Sequence, residues 1–342
     1  MLILITTDTD PFRFQRLAIP YLYRRPAFSE RNFKGFSNAI SANPSLGKHI
    51  REIDDTFASI IPHACNLTHL VAGGHQHLSW TTFLAIAQTA GATLEEFMGF
   101  ETPAQPTPPS SAIFAQFTAL RSFEWYYQCN RLRSAASRGL FDVVENVSAG
   151  AFPRLESLAV TPCECLSVFS KMLLPSLRHV VISYVDAEAL DFLEAHGAKI
   201  RHLEVRHTGT DPVLPLCPNT ETYTCHISMN HPGQELLGHY FEDGFENANL
   251  RKIIMSNLIT PERYGHRQEE KRWAAFFSAL AASEQLPALR EINLRKFYWP
   301  TSAHEIAKCA WAGWAEMLLE HGIKMTDRAG IEWRTRLKGS HR

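Results

Sequence analysis

One short spacing recurs along most of this chain: apolar, two residues, apolar, one residue, apolar. It reads Leu67, Leu70, Ala72; Leu94, Phe97 with Gly99; Leu120, Phe123, Trp125; Leu155, Leu158, Val160; Leu177, Val180, Ile182; and Ile200, Leu203, Val205. A weaker row at Thr220, Tyr223, Cys225 precedes Leu250, Ile253, Met255 and Leu289, Ile292, Leu294, and a degenerate first row sits at Ile50 and Ile53. Within each row the last two apolar positions alternate with their neighbours, the period of a strand with one buried face. The rows return at intervals of roughly 20 to 39 residues, the shorter ones inside the leucine-rich-repeat range.

The same punctuation stands before many rows. Proline lies two residues ahead in Pro153-Arg-Leu155, Pro175-Ser-Leu177 and Pro287-Ala-Leu289, with a relative at Pro218. Proline ends a helix and biases its predecessor toward extended backbone. Gly91-Ala-Thr-Leu94 and Gly197-Ala-Lys-Ile200 use glycine instead, which tolerates the left-handed conformation that closes helices. Between rows the period changes. Trp80, Phe83, Leu84, Ala87 and Trp273, Phe276, Phe277, Leu280 follow helical spacing. Asp186 is an N-cap candidate for a helix through Leu190 and Leu193. Ser302 and Glu305 form a capping box for a helix carrying Ile306, Ala310, Trp314, Met317 and Leu318.

Alternating strand and helix implies parallel strands with right-handed crossovers. At this spacing the crossovers stack into an α/β leucine-rich-repeat-like solenoid, a curved parallel sheet with outer helices. Residues 1 to 45 are expected to be a helical segment, and 46 to 342 the solenoid, closed by a C-terminal helical cap with Trp311, Trp314 and Trp333. Residues 101 to 112 read as a mobile Pro-rich loop and 260 to 270 as a polar one.

Composition narrows the function. An apolar fraction of 45% is ordinary for a soluble protein, and a net charge of −1 provides no field to attract nucleic acid or an anionic membrane. The basic end (Arg334, Arg336, Lys338, Arg342) reads as a solvated tail. Seven unevenly scattered cysteines argue against a secreted disulfide framework. Met1-Leu2-Ile3-Leu4-Ile5 is too short for a signal or a span. A cytoplasmic or nuclear protein follows. His75-Gln-His77 could suit zinc but reads better as a surface loop, and Cys163-Glu-Cys165 as inert thiols. No nucleophile elbow, Walker loop, Gly-x-Gly-x-x-Gly or His-Glu-x-x-His occurs. No cofactor and no catalysis are expected, with an α/β hydrolase or metal enzyme as the outlying alternative.

Phe14-Gln-Arg-Leu-Ala-Ile-Pro-Tyr-Leu-Tyr-Arg24, Phe36-Ser-Asn-Ala-Ile-Ser-Ala-Asn-Pro-Ser-Leu46, the Pro-x-Leu strand starts and Trp314-Ala-Glu-Met-Leu-Leu-Glu-His-Gly-Ile323 resemble the fungal, mushroom-type F-box/leucine-rich-repeat-like proteins. The resemblance implies an intracellular substrate adaptor of a cullin-type ubiquitin ligase, with a Skp1-type linker as second partner. The F-box's opening Leu-Pro turn and first amphipathic helix have no counterpart here, which weighs against linker docking.

In such a solenoid the residues flanking the apolar strand positions face the concave surface. They are Glu96, Met98, Phe100; Ser122, Glu124, Tyr126; His179, Ser183; His202, Glu204, Arg206; Thr222, Thr224, His226; Lys252; and Glu291, Asn293, Arg295. Phe100, Glu124, Tyr126, His179, His202, Glu204, Arg206, His226, Lys252, Asn293 and Arg295 are the candidates for binding a target protein. Their mixture of charge, imidazole and aromatic groups suits a polar protein surface. A stand-alone scaffold without a ligase link is the alternative.

Overall fold

In this computed structural model the described residues are 11–26, 30–53, 60–103, 110–128, 150–161, 165–207, 213–226, 246–256 and 267–333. They fall into two compact units, residues 1–155 with 172–174, and residues 156–171 with 175–342. The strand rows lead into parallel strands paired in chain order, separated by helical returns. This is the leucine-rich-repeat-like α/β arrangement that the spacing predicts.

The first unit opens with helices α1 (Pro11–Arg24) and α2 (Glu30–Ala42), followed by a 3-10 turn at Pro44–His49. Strands β1 (Glu52–Ile53), β2 (His69–His77), β3 (Glu96–Pro103) and β4 (Ser122–Gln128) then pair in parallel. Among the described residues one α-helix intervenes, α3 (Trp80–Ala90), whose first turn is closed by the Ser79 hydroxyl accepting from the Thr82 amide at 3.1 Å. The described parts of the other returns contain 3-10 segments, Ile61–His63 and Ser111–Gln116. The core is a stack of rings: Phe83 lies parallel to Trp125 at 5.9 Å, and Phe123 packs on Phe152 at 5.5 Å. The buried Trp125 indole donates to Thr102 at 2.9 Å, so its one polar atom is satisfied.

The second unit pairs β5 (Ser157–Thr161), β6 (His179–Tyr184), β7 (His202–His207), β8 (Thr222–His226), β9 (Lys252–Ser256), β10 (Glu291–Leu294) and β11 (Lys324–Thr326) in the same manner. Among its described residues the helices are α4 (Leu166–Phe169), α5 (Ala187–His196), α6 (Arg267–Ala282), α7 (Ala303–Lys308) and α8 (Ala310–Glu320). At the starts of β5 to β9 one carbonyl takes two amides from the next repeat: Arg178 accepts from Arg201 and His202, and Arg201 from Glu221 and Thr222. The Pro-x-Leu-Arg starts share a closure. Arg178 and Arg290 each turn their guanidinium back onto the Leu177 and Leu289 carbonyls, at 2.6 and 2.8 Å.

All three positions of the weak row, Thr220, Tyr223 and Cys225, are buried, so it is a full repeat. Asp186 caps α5 through the Ala189 amide at 2.9 Å, and the Ser302–Glu305 capping box is present. Trp273, Phe276, Phe277 and Leu280 are buried, and Trp273 meets Trp311 at 5.4 Å.

Several expectations are corrected. Gly91 and Gly197 are right-handed (φ −55 each), not left-handed. A Cβ at either would strike the last carbonyl of the following 3-10 segment, at Gln116 and Leu216, so close approach of the next repeat requires glycine there. The residues before Pro153 and Pro175 are not extended. Phe152 and Leu174 have φ of +50 and +41, held there by complete burial of their side chains. Leu84 points outward, and Ile86 and Ala90 take the inner face of α3. The C-terminal helix is two helices, broken at Cys309 (ψ 102), and the break turns Trp311, Trp314 and Leu318 inward. Residues 75–77 belong to β2, not to a loop. The chain carries a strand beyond the predicted rows, β11, parallel to β10.

The most consequential correction is Phe100. Phe97 pairs with Phe123 and Phe100 with Trp125, so β3 carries one extra residue at Gly99, whose φ is +80. This bulge reverses the alternation beyond it. Phe100 is therefore in the core, with no exposed surface, and not on the open face. Residues 104–109 of the Pro-rich segment, 260–266 of the polar loop, Cys163 and the basic end from Arg334 lie outside the described residues.

Candidate binding face

Of the predicted site residues, the first unit holds Glu124 and Tyr126, whose phenol donates to the Glu124 carboxylate at 2.8 Å. Nearby on the same unit His69 stands 3.9 Å from Glu96, and His77 3.7 Å from Glu101. A recess of about 390 Å³ opens beside α1, lined by Tyr21, Arg24, His49, Arg51 and His69 among others. One Arg51 donor there is already given to the Asn66 carbonyl at 2.8 Å.

The remaining eight, His179, His202, Glu204, Arg206, His226, Lys252, Asn293 and Arg295, are brought together on the open sheet face of the second unit. Strand register sets them in rows. His179, His202, Thr222, Lys252, Glu291 and Lys324 face one another across six strands. Val181, Glu204, Thr224, Ile254, Asn293 and Thr326 form the next row. His226 pairs with Ser256 in a third.

Glu204 is the hub of one cluster. Its carboxylate lies 3.3 Å from the His226 Nε2, 3.4 Å from the Arg206 Nε and 3.5 Å from the Arg295 Nη1, which reaches back across β8 and β9. Hydrogen bonding by His226 is the main cause that pulls this carboxyl down to about 2. Burial opposes it, and the charges of His226, Arg206 and Arg295 add to the depression. Glu291 anchors the second cluster, 3.0 Å from the Lys252 ammonium and 3.7 Å from Lys324. Burial pushes its carboxyl up, but hydrogen bonds from Lys252 and Thr326, with the charges of Lys252 and Lys324, bring it below its usual value. Asn293 spends its amide on the Thr326 hydroxyl at 2.9 Å and the Asp327 carbonyl at 2.8 Å, pinning the turn after β11.

At the other end of the face, the His179 and His202 rings meet edge-on at 6.2 Å, and His179 Nδ1 lies 3.1 Å from the Ser157 hydroxyl. Burial first, then His202, lowers the His179 imidazole, against an opposing pull from Glu204.

Lys324 and Thr326 are site residues that the row pattern missed, because they belong to β11. A weaker signal is there: Ile323 and Met325 alternate as in other strands, directly after Gly322, whose φ is +76. The ion pair from Arg295 to Glu204 had no local signal at all.

Of the five described thiols Cys65 is exposed and the other four are shielded. Cys165, Cys217, Cys225 and Cys309 are buried, and burial pushes the Cys217 thiol up to about 12. Among the described residues no three His, Cys, Asp or Glu side chains are placed to hold a metal ion, and no helix is long and apolar enough to cross a membrane. No protein-family model and no curated protein matches this chain.

Proposed function

We propose that this chain is a non-catalytic, protein-binding repeat module whose partner lies on the open sheet face of the second unit. The observation that carries the reading is the pair of clusters around Glu204 and Glu291, five basic side chains, four on strands and Arg295 in the turn after β10, about two carboxylates. Sites built on strands hold their side chains more firmly than sites on loops. Such a fixed polar pattern suits recognition of a surface of complementary charge. The Glu204 carboxyl, pulled down to about 2 by its basic neighbours, is a weak base, which suits a structural ion pair better than proton transfer.

A role as substrate adaptor of a cullin-type ubiquitin ligase extends this reading and rests on the resemblance of residues 14–24, 36–46 and 314–323 and of the Pro-x-Leu strand starts alone. A Skp1-type linker would then be held through α1 and α2, and the target by the face.

The test is affinity purification of the chain from its native cells beside a Lys252→Glu, Lys324→Glu variant whose thermal melt matches the unaltered protein. The partner set of the unaltered chain should contain a stoichiometric protein that the variant loses. Identical partner sets would end the assignment to this face. Co-purification of a Skp1-type linker with both forms would support the adaptor extension.

A further inference from the structure

We propose that the recess beside α1 in the first unit binds a small organic phosphate ester, with Arg24, His49 and Arg51 holding the phosphate and Pro20 and Tyr21 forming the wall for its organic body. This site lies wholly within the first unit and stands or falls independently of the sheet face of the second.

Three stretches of chain meet at the recess: the end of α1, the end of the 3-10 turn at Pro44–His49, and the entrances to β1 and β2. Main-chain hydrogen bonds tie them together at Arg51. Its amide donates to the Arg24 carbonyl at 2.9 Å, and its carbonyl accepts the Thr68 and His69 amides at 2.8 and 2.9 Å. Asn66 braces the side chain as well. Its main-chain carbonyl accepts from the Arg51 guanidinium at 2.8 Å, and its side-chain amide donates to the Lys48 carbonyl at 2.8 Å, next to His49. The recess is therefore preformed, which lowers the ordering cost of binding.

Two permanent cations line it with few internal claims. Among the described residues Arg24 and His49 have no side-chain hydrogen bond or ion pair, and the Arg51 guanidinium has only its bond to Asn66. A guanidinium carries five donors, so both arginines keep N–H groups for a ligand. The carboxylate in the lining, Glu52, is drawn to Arg25 at 3.4 Å. His69 is a wall and not a donor, since its Nδ1 lies 2.8 Å from the Thr68 hydroxyl and its Nε2 3.9 Å from Glu96.

Donors arriving from three segments fit a tetrahedral phosphate, whose oxygens point in several directions, better than a carboxylate, whose two oxygens lie in one plane. The planar fork of arginine matches phosphate oxygens in pairs. A volume of about 390 Å³ falls within the roughly 300–1,000 Å³ of small-molecule sites and exceeds what a bare oxyanion fills. The remainder is bounded by Pro20 and by the Tyr21 ring, which is 80% exposed and offers a flat surface to an aromatic body.

The experiment titrates the full chain with phenyl phosphate, benzoate and inorganic phosphate, followed by calorimetry. Saturable binding of phenyl phosphate is expected, at least about tenfold tighter than that of either other probe. Arg24→Gln and Arg51→Gln should each weaken it about tenfold, and Arg51→Lys should fall between, keeping the charge but losing the fork. Lys308→Gln removes the same charge from an exposed position on α7 and should change nothing. Each variant is first shown by its melt to be folded. Equal losses in Lys308→Gln and the two glutamine variants at the recess mean attraction to net charge and overturn the site. Benzoate binding as tightly as phenyl phosphate overturns the phosphate, and inorganic phosphate binding as tightly overturns the organic body. A short phosphotyrosine peptide that binds more than about tenfold tighter than phenyl phosphate overturns the small molecule and assigns the recess to a phosphorylated protein segment. Absence of phenyl phosphate binding up to about 10 mM ends the proposal.

Discussion

At the scale of single residues, the repeat is fixed by places where a side chain cannot fit. Gly47, Gly91 and Gly197 sit against the last carbonyl of the next 3-10 segment, at His63, Gln116 and Leu216. An added methyl at Gly197 would drive the neighbouring repeat away from α5. Gly197→Ala should therefore cost about 1–3 kcal/mol, the usual range for overpacking. Gly313, exposed in the middle of α8, is the opposite case, because a methyl added there would meet nothing within 4 Å. Gly313→Ala should stabilise by up to about 1 kcal/mol, since alanine is the better helix former. Urea melts of the two variants check the signs, and a gain for Gly197→Ala would refute the close-approach account. The sequence does mark Gly91 and Gly197, but the reason it suggests, a left-handed helix end, is only one of two ways to need glycine. Local spacing cannot distinguish them, because the clashing carbonyl belongs to the next repeat. His196 is a second such case. Its Nε2 donates to the Phe169 carbonyl at 3.0 Å and its Nδ1 accepts from Lys199 at 3.1 Å, which fixes the neutral tautomer inside the core.

At the scale of elements, every strand row shared by several repeats was legible, because alternation and punctuation recur and repetition averages out local noise. What stayed hidden were the departures from the repeat. The bulge at Gly99 adds one residue to β3 and carries Phe100 and Thr102 into the core. The break at Cys309 and the strand β11 fall where a single capping helix was the simpler expectation. The site shares this division. The rows exposed eight of its members, while the Glu204–Arg295 pair joins a side chain on β7 to one in the turn after β10 and depends on reach. The bulge offers a test at this scale. Deleting Gly99 restores plain alternation, which would turn Phe100 outward and Glu101 inward. A buried carboxylate without its partner costs several kcal/mol, so the first unit should lose its cooperative melt. Gly99→Ala keeps the register but strains the positive φ and brings its Cβ to 2.6 Å from the Ala72 carbonyl oxygen, costing about 2–5 kcal/mol while the melt stays cooperative. An equally cooperative melt of the deletion would show that register is not what the glycine protects.

At the scale of the whole molecule, buried titratable groups predict how stability follows acidity. His179 and His196 both lie below their ordinary value of 6.5, burial being the first cause in each. For His196 the Phe169 carbonyl opposes the shift and Lys199 adds to it. The folded state therefore resists the protons that the unfolded chain takes up, and stability is fully present above 6.5 and falls as the pH drops below it. Glu204 and Glu291 lie below their ordinary value of 4.5, Glu204 at about 2. Their contribution is intact above 4.5 and drains away as pH falls toward 2, when the cations around them lose their counter-ions. Both effects have the same sign, so acid should lower the melting temperature in two stages, one below about pH 6.5 and one below about pH 4.5. His179→Gln should shrink the first stage and Glu204→Gln the second, each leaving the other in place. Because the carboxylate stage depends on charge and the imidazole stage mainly on burial, salt should compress the former far more than the latter. A melting temperature that stays level from about pH 7.5 to about pH 5.5 would mean that the two imidazoles take up protons without penalty, and the neutral, buried state assigned to His196 would then be wrong.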